Sequence, residues 1–474
     1  MKRFVYIVLF INCCFLAFSQ ANSNTVCQYG FTFEISMQKN WGYLQPVVLS
    51  VTPNSSADAA GLRVNDIIDK INEKPTAGEN IETIISWIQS SNFQIQLTVN
   101  NLKESGQKRI IKKHCRLKNS LSEKDLASVY SFYSLEDVQT HAFTCPFKTN
   151  VNPENNLIQY KSFGFPAPDP NNRELEESIY AAIRKNFEEK GLKYSGTNPD
   201  MIIQTYYSFM ANPNFRNNSL SDKFPIVNRY NVGTKSMERI PIYYDPLIHS
   251  NQAKFFLKFG IKLIDSKNRN TPIWECEADE LLQANYSLSD YAKFHIPLMI
   301  MQYPYLKSKE TAQFYYTRSK YNFTGIYYNM DNLKEITEVE SSSPAERDGI
   351  KAGDIIEKIN GIKFINNIKT ADSNYKQFIY KTSSLRDQST QFTNAEGFNQ
   401  CMYWDKMNYA QIQDEFKKPE FSTAFSYLFY FRPYINLSGT NIVSFGIIRG
   451  KQKEEIKIRP VIVSEEIFQV TSNM

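Results

Sequence analysis

Histidine is nearly missing from this chain. The 474 residues hold four, His114, His141, His249 and His295, scattered too widely to read as a metal ligand set. No His-Glu-x-x-His or Gly-x-Ser-x-Gly motif occurs, so neither a zinc protease nor a nucleophile-elbow hydrolase is written here. Cysteine is sparse as well. Seven are present, five of them beyond the first twenty positions, and their spacing fits no CxxC metal site. Neither charge sign dominates: 54 basic side chains face 49 acidic ones, for a net charge of +5. Lys and Glu are interspersed, which argues against a nucleic-acid partner. Low-complexity disorder is excluded by a 42% apolar and 14% aromatic composition, enough to bury cores in two to four domains. No cofactor is expected.

Long apolar runs are absent after Phe18. Before it, Lys2 and Arg3 precede Phe4 to Phe18, interrupted by Asn12, and Ala17-Phe18-Ser19 offers small residues before Gln20. This pattern predicts a cleaved signal peptide over residues 1–19. A retained anchor, for which the run is short, and lipid attachment at Cys13 or Cys14 are the alternatives. The expected product is exported, periplasmic or at the surface of a two-membrane bacterium, with no later membrane span. Export permits disulfides. The five remaining cysteines, Cys27, Cys115, Cys145, Cys276 and Cys401, leave at least one unpaired.

One passage is present twice. Ser55 to Asn72 returns as Ser343 to Gly361, with Ala57 matching Ala345, Gly61 matching Gly349 and Asp66 matching Asp354, at a constant offset of 288 without a gap. In the first copy a short helix ends at Gly61, and Asp66 to Asn72 forms a strand with buried isoleucines. Upstream, Gln28-Tyr29-Gly30-Phe31 precedes alternating Thr32-Phe33-Glu34-Ile35, and Val47 to Val51 reads as a buried strand. Downstream, Asn80 caps a helix over Ile81 to Gln89, and Gln94–Val99 and Arg109–Cys115 complete the strands.

The repeated passage, in this setting, resembles the centre of a PDZ domain, a peptide-binding fold. The resemblance implies a first module over about residues 25–118 and a second over about 316–465, carrying an insertion at about 365–438. In such a fold the Tyr29-Gly30-Phe31 loop curls its N–H groups around a peptide carboxylate, and the strand containing Phe33 accepts the peptide as an added strand. The helix with Ile81 and Ile85 forms the opposite wall. Ile81 falls where the ligand's antepenultimate side chain is selected, and an apolar wall there favours an apolar residue; simple core packing of Ile81 is the alternative. The resemblance also places Cys27 and Cys115 on neighbouring strands, which implies a disulfide, against the alternative of two buried thiols. In the second module Tyr321-Asn322-Phe323 matches Tyr29-Gly30-Phe31, with Asn322 in place of the glycine.

Between the modules, about residues 135–315, the pattern predicts a strand at Leu157–Phe165, an amphipathic helix from about Asn172 to Lys190, a strand from Met201, and a pair at Phe255–Asp265 and Thr271–Ala284. The Tyr160-Lys161-Ser162-Phe163 strand, Asn198-Pro199-Asp200 and the Trp274 strand resemble the bacterial domain-of-unknown-function family 4136, which implies an envelope location and no known activity. Asn212 to Asp245 reads as an inserted surface loop without chemistry. In the second module's insertion, Tyr403-Trp404 and the aromatic stretch Phe421–Tyr434 read as core, or as a cover for the groove. The fold class expected is α+β: two PDZ-like, partly open β-barrels with capping helices flanking a central α+β sheet domain. The leading function is a noncatalytic envelope protein that binds peptides or apolar protein C-terminal tails by strand addition. A structural scaffold with degenerate modules and a PDZ-bearing protease are the rivals.

Overall fold

The computed structural model describes residues 25–129, 140–216, 227–243, 250–268, 272–364 and 441–471, together with 373, 377–378, 380–388, 402, 404–418 and 424–428. The expected signal segment, Cys401 and Tyr403 lie outside the described residues. No described helix is long and apolar enough to cross a membrane.

In the first module five strands run in the order Phe31–Ile35, Pro46–Val51, Ile67–Ile71, Gln94–Asn100, Gln107–Lys112. Alternation sends Ile95, Leu97 and Val99 inward, Ile111 joins them, and a bulge between Ile68 and Lys70 lets both Ile68 and Ile71 face the same core. Ile84, on the Ile81–Ser90 helix, closes that core from one side. The helix begins where Asn80 accepts the Thr83 N–H at 2.8 Å. Cys27 and Cys115 are direct partners in the Thr25–Gln28 and His114–Leu117 strand pair and are joined by a disulfide.

The middle region is a six-stranded sheet in the order Phe147–Val151, Pro272–Leu282, Phe255–Asp265, Met201–Ala211, Ser162–Gly164, Lys193–Tyr194. The Arg173–Glu189 helix packs on it through Ile179, Ile183 and Phe187, the face its periodicity predicts. Two expectations are corrected. Leu157–Phe165 is not one strand, because the Asn156 side chain accepts the Ile158 N–H and starts a 3-10 turn at Leu157–Gln159, leaving only Ser162–Gly164 extended. The Asn212–Asp245 stretch is not merely a surface loop. Its Val227–Asn231 and Ser236–Ile240 strands form a hairpin that delivers Val227, Tyr230 and Ile240 to the core.

Arg229, on the same hairpin, is 2% exposed and bidentate to Glu280, at 2.6 and 3.3 Å. It also donates to His295 Nε2 at 2.8 Å, so Nδ1 carries the ring proton and donates to the Tyr291 carbonyl at 2.9 Å. Burial, then the Arg229 charge, holds His295 well below its usual range. A buried charge needs such pairing, and removing one partner would leave the other exposed to the full desolvation cost.

The three regions are welded rather than strung. Trp41, from the loop between the first two strands, and Val47, Ile67 and Leu102 belong to the middle region's core. The Ala312–Phe323 strand pairs with Thr140–Cys145 on one side and with Val461–Thr471 on the other. These long strands start in the middle core with Phe314 and Tyr316 and run on into the second module, so residues 315–316 lie inside a strand. There Ile326, Tyr328, Ile336, Ile356, Ile359, Val443, Phe445 and Ile447 form a separate core. From the insertion, Trp404, Ile412, Phe425, Tyr427 and Leu428 join it. Of Phe421–Tyr434, only Ala424–Leu428 is described, as a 3-10 turn.

Candidate functional site

The groove that the resemblance implies falls between the Phe31–Ile35 strand and the Ile81–Ser90 helix, which border one core. Its floor is set by one backbone turn. Gly30 has φ +87°, and a Cβ there would fall inside the Ser55 side chain. Ser55 caps the short Ser56–Ala59 helix. The Gly30 carbonyl accepts from the Thr52 N–H at 2.8 Å and the Ser55 hydroxyl at 3.3 Å, and the Tyr29 carbonyl accepts from the Ala57 N–H at 3.2 Å. Both carbonyls are thus turned into the module. Among the described residues the Tyr29 and Gly30 N–H groups have no acceptor.

Phe31 pairs with Val51 immediately beyond the Gly30–Thr52 bond. Antiparallel pairs alternate between bonded and unbonded. The Phe31 N–H and C=O therefore face the strand's outer edge, which has no partner strand among the described residues. Tyr29 is buried and its hydroxyl donates to the Ile88 carbonyl at 3.3 Å. Phe31 and Phe33 lie half-buried against the core. Ile84 is the helix's core residue; Ile85 is half-buried and Ile81 is 38% exposed, so Ile81 does not serve the core.

The second module repeats this turn at Gly325, neither at Asn322 nor at Arg318, where the offset of 288 would carry Gly30. Gly325 has φ +93°, and its absent Cβ would fall inside Ser343, the counterpart of Ser55. The Gly325 carbonyl accepts the Glu340 N–H at 2.8 Å, and the Thr324 carbonyl accepts the Ala345 N–H at 2.8 Å. Thr324-Gly325-Ile326 is therefore the counterpart of Tyr29-Gly30-Phe31, and the assignment to Tyr321-Asn322-Phe323 is corrected. Those three residues end the Ala312–Phe323 strand, paired opposite Val463, Ile462 and Val461. Asn322 is buried and donates to the Tyr427 carbonyl at 2.6 Å. The cause is hairpin length: Thr52 follows Gly30 by 22 positions, whereas Glu340 follows Gly325 by 15. Gly325, next to the apolar Ile326-Tyr327-Tyr328, was the signal that could have found it.

This second turn is filled. Glu123 Oε2 accepts the Thr324 N–H at 2.6 Å and the Gly325 N–H at 3.0 Å, while Oε1 accepts the Thr324 hydroxyl at 2.6 Å and the Tyr427 hydroxyl at 2.7 Å. Tyr427 also shares a hydrogen bond with the Tyr328 hydroxyl. Just before Glu123, Ser120–Ser122 adds antiparallel to the edge of Ile326–Asn329, with Ser122 opposite Tyr327, Leu121 opposite Tyr328 and Ser120 opposite Asn329. Glu123 is 1% exposed, and burial pushes its carboxyl up to about 7 despite the four donors. In the sequence Ser122 and Asp125 mark only a helix start, with reciprocal bonds between them; the fold brings Glu123 here.

Comparison with known proteins adds the following. Residues 47–101 and 335–379 match the family described as PDZ domain, and residues 147–305 match Domain of unknown function (DUF4136). A solved PDZ domain protein from Parabacteroides distasonis is 40% identical, with 95% of this chain and 100% of that one covered at a TM-score of 0.84. The PelC dodecamer from Paraburkholderia phytofirmans (9% identity, 34% and 94% coverage, TM-score 0.18) and the photosystem II D1 C-terminal processing protease (10%, 37% and 41%, 0.17) match too weakly to carry an argument. No curated protein matches the chain.

Proposed function

We propose, on the premise that this chain belongs to the family of PDZ-domain proteins represented by its Parabacteroides distasonis relative, that it is a noncatalytic envelope protein which captures an extended peptide at the first groove. PDZ domains are protein-interaction modules, and this chain carries two. The observation that carries the proposal is the open edge at Phe31, beside Tyr29 and Gly30 N–H groups that have no acceptor among the described residues. Such a nest suits a terminal carboxylate, and such an edge suits an added strand. Exposed Ile81 favours an apolar side chain at the ligand's antepenultimate position. The Lys2–Phe18 pattern supports export to the periplasm or cell surface.

A catalytic reading finds little to work with. His295 is spent on Arg229 and the Tyr291 carbonyl. Burial pushes the Cys145 and Cys276 thiols up to about 12, which leaves them poor nucleophiles. His249, and the His141 side chain, lie outside the described residues. A scaffold reading draws support from Trp41 in the middle core. That shared core also means the full chain is the proper test object. Screening it against C-terminal peptides should yield ligands with an apolar antepenultimate residue. Amidating the peptide terminus, or an Ile81→Arg substitution, should each weaken binding about tenfold or more. No binding, or binding indifferent to amidation, would favour the scaffold.

A further inference from the structure

We propose that Thr324, Gly325 and Tyr427 form a second carboxylate-reading site, which residues 119–129 of this chain occupy in cis and which a carboxylate-bearing extended peptide from a partner takes by exchange. This goes beyond the first groove and does not depend on it.

Three observations converge. The turn presents the same backbone as the first module's: Gly325 is locked against Ser343 as Gly30 is against Ser55, and the Thr324 and Gly325 carbonyls accept from the equivalent N–H groups. In the first module the Tyr29 and Gly30 N–H groups have no acceptor among the described residues; in the second, the Thr324 and Gly325 N–H groups are both bonded to Glu123. Ser120–Ser122 then lies on the edge strand in the orientation of an added peptide, its carboxylate-bearing end toward the glycine turn, and the Met330 N–H extends the ladder to the Asn119 carbonyl at 2.7 Å. A ligand's features are present: an extended strand, a carboxylate in the nest, and an apolar anchor, Leu126, 5% exposed in the second core.

The segment belongs to neither module's own framework. It leaves the first module directly after the His114–Leu117 strand. The second module's other strands, Ile355–Ile359, Val443–Arg449 and Gln452–Ile458, pair with one another without it. Its docked part is brief, a three-residue strand and the Glu123–Val129 helix, on which Lys124, Asp125 and Ala127 are half-exposed. Tethering gives such a segment an effective concentration of about millimolar, so a free peptide competes poorly while the tether holds. Anything that weakens the Glu123 grip, held by four donors, opens the site. The release would be local, because Cys115, bonded to Cys27, pins the start of the segment.

Hydrogen exchange on the full chain tests this, with an acetylated and amidated synthetic peptide of residues 116–128 as the probe. Glu123→Ala should speed exchange over residues 120–129 about tenfold or more. The Gln94–Asn100 and Val443–Arg449 strands should stay protected. Adding the peptide should then restore protection at Ile326–Asn329 in the variant and do nothing at micromolar concentration in the wild type. Unchanged protection over 120–129 in Glu123→Ala would overturn the proposal, as would a released site that ignores the peptide. Loss of protection spreading to Val443–Arg449, in this variant and in the milder Leu126→Ala, would also overturn it, by making the segment part of the fold. The first groove reports through Phe31–Ile35, so the two readings fail separately.

Discussion

The two modules share a turn and differ in what meets it. Ser55 and Ser343 cap equivalent helices, Gly30 and Gly325 are wedged against those serines, and Asp66 and Asp354 accept the Arg63 and Lys351 N–H groups at 2.9 and 2.8 Å. Beyond these local bonds the modules part. Asp66 takes its second partner from Asn101, whereas Asp354 is bidentate to Arg449 at 2.8 and 2.7 Å. Among the described residues one glycine turn meets no acceptor, and the other holds Glu123, more than two hundred residues upstream of it. Local sequence therefore builds the turn twice, but its occupant comes from elsewhere in the chain. A repeated fold is not a repeated site.

The widest gap between the modules should come from the disulfide. Reducing Cys27–Cys115, or Cys115→Ser, should cost the first module about 2–4 kcal/mol, read as faster exchange in Gln94–Asn100, and leave Val443–Arg449 unchanged. Equal losses in both would show that the modules unfold together. Next come the glycines. Gly30→Ala and Gly325→Ala should each cost about 2–3 kcal/mol, for a left-handed backbone plus a clash with serine, measured by chemical denaturation. A large difference between them would mean that the turns are not equivalent.

The third contrast is pH. Glu123 has its carboxyl raised from an ordinary value near 4.5 to about 7, because burial disfavours the charge. The folded chain then holds a proton that the unfolded chain releases. Stability from this group is complete below about pH 4.5 and is lost as pH rises through about 7, by an amount on the order of 3 kcal/mol. The neighbouring Tyr321, Tyr328 and Tyr427 are all raised and stay neutral throughout. Asp66 and Glu338, also raised by burial, titrate equally in a Glu123→Gln variant. The difference between wild type and that variant in melting temperature, from pH 5 to 8, isolates Glu123; parallel curves would refute the effect. Smallest is Ile81→Arg, which should change stability by less than about 0.5 kcal/mol, since the side chain is exposed, and act only on peptide binding at the first groove.

Much of the architecture was legible. The duplicated passage, the Asn80 cap and the apolar face of Arg173–Glu189 all state their structure locally. Legibility failed where a distant residue decides. The offset of 288 holds from Ser55 onward but breaks upstream, since the two modules' first hairpins differ in length, and the Tyr-x-Phe likeness of Tyr321-Asn322-Phe323 points three residues short of Gly325. The Leu288–Ile300 helix escaped notice because eight of its thirteen residues are buried, so no polar face marks its period. Arg229, in a stretch that reads as polar loop, became a buried ion only because Glu280 and His295 wait beneath the hairpin.

By itself the sequence determined the local pieces: where helices start, which strands alternate and that Gly30 must turn; that two PDZ modules flank a third domain came from the resemblance of the repeated passage. The local pieces follow from backbone sterics and hydrophobic period, which act over a few residues. Only the tertiary structure decided that Trp41 ties the first module to the middle core, and that Glu123 fills one nest while the matching nest meets no acceptor among the described residues. Such pairings depend on surfaces brought together across hundreds of residues, and a buried carboxylate finds its donors only after the chain has folded around them.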